Sequence, residues 1–205
     1  VRAGEVLGLS GLMGAGRTEI ARCIFGLDQP DSGRMWLNGE EIHVRSPKQA
    51  LQQGICYVSE DRRRESIIPL RSLKENICLA DLRQICTNGL VDEGKQEQLY
   101  EEYHDRFRIK ATSGEQAIGR LSGGNQQKCC LAKMLACKPT LLILDEPTRG
   151  IDVGAKKEIH QLIDKLVKQN MAIILISSEL PEILGASDRI MVLAEGKLTG
   201  TFSSE

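Results

Sequence analysis

Three short runs carry residue types whose spacing suits chemistry on a phosphate. The first is Gly11-Leu12-Met13-Gly14-Ala15-Gly16-Arg17-Thr18, which follows an apolar run, Val6–Leu9, and precedes an apparent helix from Glu19 to Phe25. Its glycines let backbone N–H groups turn inward around phosphate oxygens. Thr18 is placed to offer its hydroxyl to Mg²⁺. Arg17 supplies positive charge where a lysine is usual, but its planar fork is not equivalent to an ammonium. A glycine-rich strand-to-helix turn without a ligand shares the same pattern. The second run, Leu144-Asp145-Glu146-Pro147, closes four apolar residues. Acidic residues at the end of a buried strand sit where α/β proteins place ligands. Asp145 can hold Mg²⁺, directly or through water, and Glu146 can orient an attacking water, since phosphoryl transfer needs mainly positioning. The third run, Leu121-Ser122-Gly123-Gly124-Asn125-Gln126-Gln127-Lys128, opens a helical pattern. A Ser-Gly-Gly helix start leaves N–H groups available to an anion, or is simply a cap. Five such residues in order arise by chance at about one position in a few million, taking each as roughly one in twenty.

Alternating elements must hold these runs in place. Short β-type runs occur at Val6–Leu9, Ile55–Val58, Leu141–Leu144, Ala172–Ile176 and Ile190–Leu193. Helical spacing is clearest through Ile159, Leu162, Ile163, Leu166 and Val167, and again through Cys130, Leu131, Met134 and Leu135. Strands alternating with helices predict an α/β fold with a mainly parallel sheet. The unalternating run Leu141–Leu144 suits a strand buried on both faces. Residues 61–119 are richer in charge and show helical signals at Leu73–Arg83 and Glu93–Phe107, which predicts a helical insert. The basic run Asp61-Arg62-Arg63-Arg64-Glu65 reads as a solvated loop, with a nucleotide or partner contact as the sharper reading. The 205 residues carry 41% hydrophobic and 27% charged side chains, ordinary for a globular chain, and a formal net charge of −1 gives no nucleic-acid footprint. Apolar runs are too short to span a bilayer. Seven scattered cysteines without a C-x-x-C pair read as small buried hydrophobes rather than a zinc site. His43, His104 and His160 are expected at surface or helix-face positions, and Trp36 as a packed strand residue. The first residues, Val1-Arg2-Ala3-Gly4, lack an initiator methionine and suggest a fragment of a longer chain.

In this order, the phosphate run, LSGGNQQK and LLILDEP resemble the nucleotide-binding domain of ATP-binding cassette (ABC) transporters, over nearly the whole chain. More closely, GLMGAGRTE, VSEDRRRE, DEPTRGIDVGAKKEI and ISSELPEILGASDRI look like the second cassette of bacterial monosaccharide importers. The resemblance implies a P-loop α/β core over 1–60 and 120–205, without its N-terminal strand, with some antiparallel strands and a helical subdomain over 61–119. It implies ATP and Mg²⁺ as cofactors. Gly11, Gly14, Ala15, Gly16, Arg17, Thr18 and Glu19 map to the phosphate loop, and Thr18 and Asp145 to the metal. Glu146 maps to the catalytic carboxylate, and Ser122, Gly123 and Gly124 to a signature that faces the ATP of an opposing cassette. Asp152 maps to the residue that couples two such sites. The implied partners are a second cassette in the same polypeptide, a membrane-spanning permease docked on the helical subdomain, and indirectly a sugar-binding receptor. Nucleic acid is not among them. The implied location is peripheral, at the cytoplasmic face of the bacterial membrane.

Three positions depart from the family pattern. Arg17 replaces the phosphate-loop lysine. Glu60 stands where a glutamine senses the γ-phosphate, and Ser178 where a switch histidine is usual. The expectation is a weak hydrolytic site at this chain's own phosphate loop, with its signature completing a competent partner site. A nonhydrolytic regulatory cassette, or one serving a nucleoside or signalling-furanone importer, is the alternative. The aromatic that stacks on adenine in this family is expected upstream of Val1, because no Tyr, Phe or Trp precedes Phe25.

Overall fold

The computed structural model describes residues 1–203, which divide into two compact units. The first comprises 1–57, 139–146 and 166 onward; the second comprises 58–138 and 147–165.

The first unit is built on a six-stranded sheet. Its strands are β1 (Val6–Gly11), β4 (Ile55–Val58), β7 (Leu141–Asp145), β8 (Ala172–Ile176), β9 (Arg189–Ala194) and β10 (Lys197–Ser203), in the order β10-β9-β1-β8-β7-β4. β1 pairs in parallel with β8 and β9, β7 pairs in parallel with β8, and β10 runs antiparallel to β9. All five residues of β7 are buried, as expected of a strand covered on both faces. Leu9, Ile143 and Ile174 form one packed cluster with Ala21 and Phe25 of α1 (Arg17–Phe25), and the Phe25 ring tilts against Tyr57 at 5.6 Å between centroids. A short hairpin, β2 (Met35–Leu37) and β3 (Glu40–Ile42), turns through Asn38 and Gly39 at positive φ, the pair favoured by a two-residue hairpin loop. Met35 and Leu37 face the cluster, which sends Trp36 the other way. Trp36 is 56% exposed, with the Arg34 guanidinium 5.3 Å from its ring centroid, so it is not the packed residue expected from sequence. Strand alternation in a half-covered hairpin explains the difference. Helices α2 (Pro47–Gln52) and α7 (Leu180–Ala186) were not apparent from periodicity.

The second unit is mainly helical. It holds α3 (Leu73–Cys78), α4 (Glu93–Phe107), α5 (Gly123–Ala136) and most of α6 (Val153–Lys168), with a small hairpin, β5 (Cys86–Thr87) and β6 (Leu90–Val91). The expected helix over Leu73–Arg83 stops at Cys78. The chain continues as a tighter helical stretch to Gln84, interrupted at Asp81 by non-helical backbone (φ −140°, ψ 80°), whose carboxylate takes the Arg83 side chain. α3 begins with a capping box: Ser72 Oγ accepts from the Glu75 N–H, and Glu75 accepts from the Ser72 N–H at 2.8 Å. One turn later Asn76, 3% exposed, accepts from the Ile68 N–H at 2.8 Å and donates to the Ser72 carbonyl at 2.9 Å, tying the preceding loop to α3. Across the helices, Tyr103 donates to the Leu135 carbonyl at 2.9 Å. Arg62 departs from the solvated loop expected for the basic run. It is partly buried, donates to Gln127 Oε1 at 3.3 Å, and burial lowers its pKa. No disulfide joins the seven cysteines; Cys56, Cys78, Cys129 and Cys130 are buried. No helix among the described residues is long and apolar enough to cross a membrane.

Ile143 is fully buried at the centre of the first unit. Ile143→Ala is expected to destabilise that unit by about 3 kcal/mol, since a cavity is left among strands that cannot collapse around it. Urea unfolding would show this as a lower midpoint at unchanged slope.

Candidate functional site

The residues singled out in the sequence fall into two groups, one in each unit. In the first unit, β1 delivers the chain into the turn at Gly11, and α1 begins at Arg17. Gly11 passes so close to the neighbouring strand that a Cβ there would lie 2.3 Å from the Leu193 carbonyl oxygen. Gly14 is exposed and left-handed (φ 79°), with nothing within 4 Å of where its Cβ would sit. Ala15 is buried, and Gly16 precedes α1 without a side-chain cap. The first-turn N–H groups at Arg17, Thr18 and Glu19 therefore have no partner within the helix, which gives the turn a positive face.

Beside this turn, at the end of β7, stands Asp145. It is fully buried. Its Oδ2 accepts from the Tyr57 hydroxyl at 3.0 Å, while Oδ1 is enclosed without a hydrogen bond. Burial raises its pKa above the ordinary carboxylate value; the Thr18 and Tyr57 hydroxyls and the Arg17 charge oppose the rise. The Thr18 hydroxyl is near enough to the Asp145 carboxylate to oppose that rise, so the glycine turn and the acidic strand end lie side by side. A buried carboxylate oxygen lacking a partner, beside a threonine hydroxyl, is a hard-oxygen donor set that suits Mg²⁺.

Glu146 follows in the left-handed region at φ 48°. Its Oε2 accepts from Ser178 Oγ at 3.2 Å, and its Oε1 lies 3.8 Å from Arg17 Nη1. Burial raises the pKa of Glu146, and the bond from Ser178 and the charge of Arg17 lower it in part. Arg17 is 8% exposed and donates from Nη1 to the Ser177 carbonyl at 2.7 Å. Tyr57 and Ser177 were missed in the sequence. Tyr57 had a signal: a lone tyrosine within the apolar run Ile55–Val58 brings a hydroxyl that needs a partner once buried.

In the second unit, Ser122 caps α5 and its Oγ accepts from the Asn125 side-chain amide at 2.9 Å. Gly123 and Gly124 form the first residues of that helix. A Cβ on Gly124 would come within 2.5 Å of the Ala155 Cβ and 4.0 Å of Asp152 Oδ2, so glycine allows the start of α5 to meet the start of α6. Asp152 accepts from the Ala155 N–H at 2.9 Å. Ser122, Gly124 and Asp152 share a cleft of about 230 Å³ with Lys110 and Lys128. Lys128 also pairs with Glu158. Arg62 lies near Gly123, an association the basic run hinted at without locating it. Glu60 forms an ion pair with Arg149.

The raised pKa of Asp145 has a defined effect on folding without ligand. A carboxylate that holds its proton more tightly when folded contributes most below the unfolded value, about 3.9, and loses that contribution as pH rises through the folded value. Asp145→Asn removes the buried charge. Relative to the native chain, its melting temperature without added metal should therefore be higher at pH 7 than at pH 4; a difference independent of pH would contradict the assignment.

The sequence pattern of the ABC transporter family matches residues 1–149. The chain is 52% identical over 206 aligned residues to the ribose import ATP-binding protein RbsA of Caldanaerobacter subterraneus, covering 100% of this chain and 42% of that protein. It is 49% identical over 205 residues to the ribose import ATP-binding protein RbsA of Geobacillus kaustophilus, covering 100% of this chain and 42% of that one. The chain thus spans about two fifths of the length of these curated relatives. Among solved structures, a dimeric ATP-binding cassette in a post-hydrolysis state with ADP and Pi superposes with a TM-score of 0.83 at 21% identity, covering 99% of this chain and 87% of that one. A nucleotide-free cassette from an ABC transporter gives a TM-score of 0.82 at 18% identity, over 100% and 83%. The fold is that of an ABC cassette, and with its family's pattern running through most of its length the chain belongs to the ABC transporter family.

Proposed function

We propose that this chain is an ATP-binding cassette that couples ATP binding and hydrolysis to import of a monosaccharide, ribose before others, across the bacterial cytoplasmic membrane. The observation that carries the reading is the convergence of Thr18 on the buried Asp145, whose Oδ1 has no hydrogen-bond partner, at the foot of a glycine turn with unpaired helix N–H groups. The ribose import relatives favour that cargo; a receptor specific for a nucleoside or a furanone would mark the neighbouring alternatives.

In this reading the N–H groups of Gly14 and of Gly16 to Glu19 enclose the phosphates around Ala15, whose own N–H donates to the Leu12 carbonyl, and Thr18 and Asp145 would hold Mg²⁺. The metal supplies charge neutralisation at the phosphate oxygens. Glu146, fixed by Ser178, orients the attacking water and receives its proton at a carboxylate oxygen. Burial, by raising its pKa, makes it a stronger base than an exposed glutamate. Ser122, Gly123 and Gly124 present helix N–H groups to the ATP of a second cassette in the same polypeptide, and Asp152, packed against that turn, links the two sites. Residues 61–119 are read as the segment that meets the permease, and the cassette as peripheral to the cytoplasmic face, with a sugar-binding receptor on the other side.

Glu60 and Ser178 weaken the hydrolytic reading for this chain's own site, because an anion and a short hydroxyl stand in for groups that would sense or polarise the γ-phosphate. A nonhydrolytic role at that site is the second reading, favoured by the engagement of Arg17 with Ser177 and Glu146.

The division of labour is tested in membranes carrying the full transporter. Gly124→Asp would clash with Ala155, so Ser122→Asp is the cleaner probe: aspartate caps a helix as well as serine while placing negative charge on the face assigned to phosphate. Ser122→Asp should lower ATP turnover by about a hundredfold, and Arg17→Ala by less than about threefold. Equal losses would count against this arrangement. A second check uses Glu146→Gln, which should leave ATP turnover within about threefold of the native transporter if the partner site does the hydrolysis.

A further inference from the structure

Arg17 opens α1 directly after the glycine turn, yet its guanidinium is engaged at the strand ends. The turn's own tip is open, with Leu12 86% and Met13 96% exposed. Arg17, at 8%, is enclosed. Nη1 donates to the Ser177 carbonyl, just beyond β8, and stands 3.8 Å from Glu146 Oε1, just beyond β7. Ser178 Oγ holds the other oxygen of the same carboxylate. One guanidinium and one carboxylate therefore join the start of a helix to the ends of two strands. A forked, permanently charged group can serve a carbonyl and a carboxylate together, which a lysine ammonium does less readily from this distance.

We propose that Arg17 is a positioning residue that ties Glu146 to the Ser177–Ser178 segment, so that ATP must compete with Glu146 for this cation. The proposal rests on the reading of Gly11–Glu19 as an ATP site. Separating a partly buried pair leaves an uncompensated charge, so the pairing persists until a stronger anion arrives. While the Glu146 carboxylate stays beside it, Arg17 attracts phosphate less than its charge implies. With Glu146 replaced by glutamine, the guanidinium is free to turn to the phosphates.

This coupling is measured in the full-length protein with 8-azido-ATP, mapping the labelled peptides to residues 1–205 and titrating with unlabelled ATP. Four forms are compared: native, Arg17→Gln, Glu146→Gln and the double variant. Glutamine at 17 keeps an amide donor for the Ser177 carbonyl while removing the charge. Arg17→Gln should weaken ATP binding by less than about threefold in the native background and by at least about tenfold beside Glu146→Gln. A tenfold loss in both backgrounds makes Arg17 a standing phosphate ligand and overturns the proposal, as does a small, equal loss in both. Absence of label on these peptides in all four forms defeats the ATP reading itself and the proposal with it. Thermal melts without nucleotide give a second measure: the double variant should lose less than the sum of the single losses, and additive losses contradict the pairing.

Discussion

A carboxylate without a full set of partners sits at the centre of this structure. Asp145 ends the most enclosed part of the sheet, with Tyr57 on one oxygen and nothing on the other. Leaving such a group buried is unfavourable in an apolar surrounding, and the rise in its pKa expresses that cost. The strands Leu141–Asp145 and Ala172–Ile176 are apolar except for Asp145 itself and fix the position of the acid rather than relieving it. A hydroxyl from Thr18 and the positive end of α1 beside it gather polar groups with unmet partners in one place, the region that the proposed function assigns to a metal and phosphate.

The second unit solves a different problem with small residues. Glycine at 124 and alanine at 155 let two helix starts approach more closely than side chains would allow, and Asp152 satisfies an N–H of the second helix at the same place. Capping, close approach and exposed N–H groups thus coincide in one short turn. The Asn76 clamp and the capping box at Ser72 do comparable work for α3, which is too short to be stable by itself.

Much of this was legible because the residues concerned have few alternatives. Glycines at 11, 14 and 16, the acid pair after four apolar residues and the Ser-Gly-Gly turn each predicted a local geometry that the chain adopts. The central strands were equally readable, since their apolar runs have no competing period. The β2–β3 hairpin was missed although Asn38-Gly39 advertises it, because its three-residue strands are too short to show alternation. Trp36 was misplaced for the same reason: which side of a strand faces the core depends on register, not on residue type. The end of α3 was invisible because Leu79–Gln84 keeps helical composition, while the backbone leaves the helical region at Asp81, whose carboxylate takes Arg83. Tyr57 and Arg62 stood out locally, as a tyrosine in an apolar run and an arginine in a basic one, but their partners and that of Ser177 are distant in the chain and no local pattern names them.

The left-handed backbone at Glu146 carries a consequence for how this position tolerates replacement. Glycine adopts that conformation freely, whereas a residue with a Cβ incurs about 1–2 kcal/mol. Glutamate is held there by its contacts with Arg17 and Ser178. Chemical identity and backbone comfort consequently pull in opposite directions at one residue: a glycine would relax the peptide while erasing the acid, and a glutamine would erase the acid while keeping the tension. The two substitutions separate conformational ease from proton chemistry, so they are not interchangeable as ways of disabling the group.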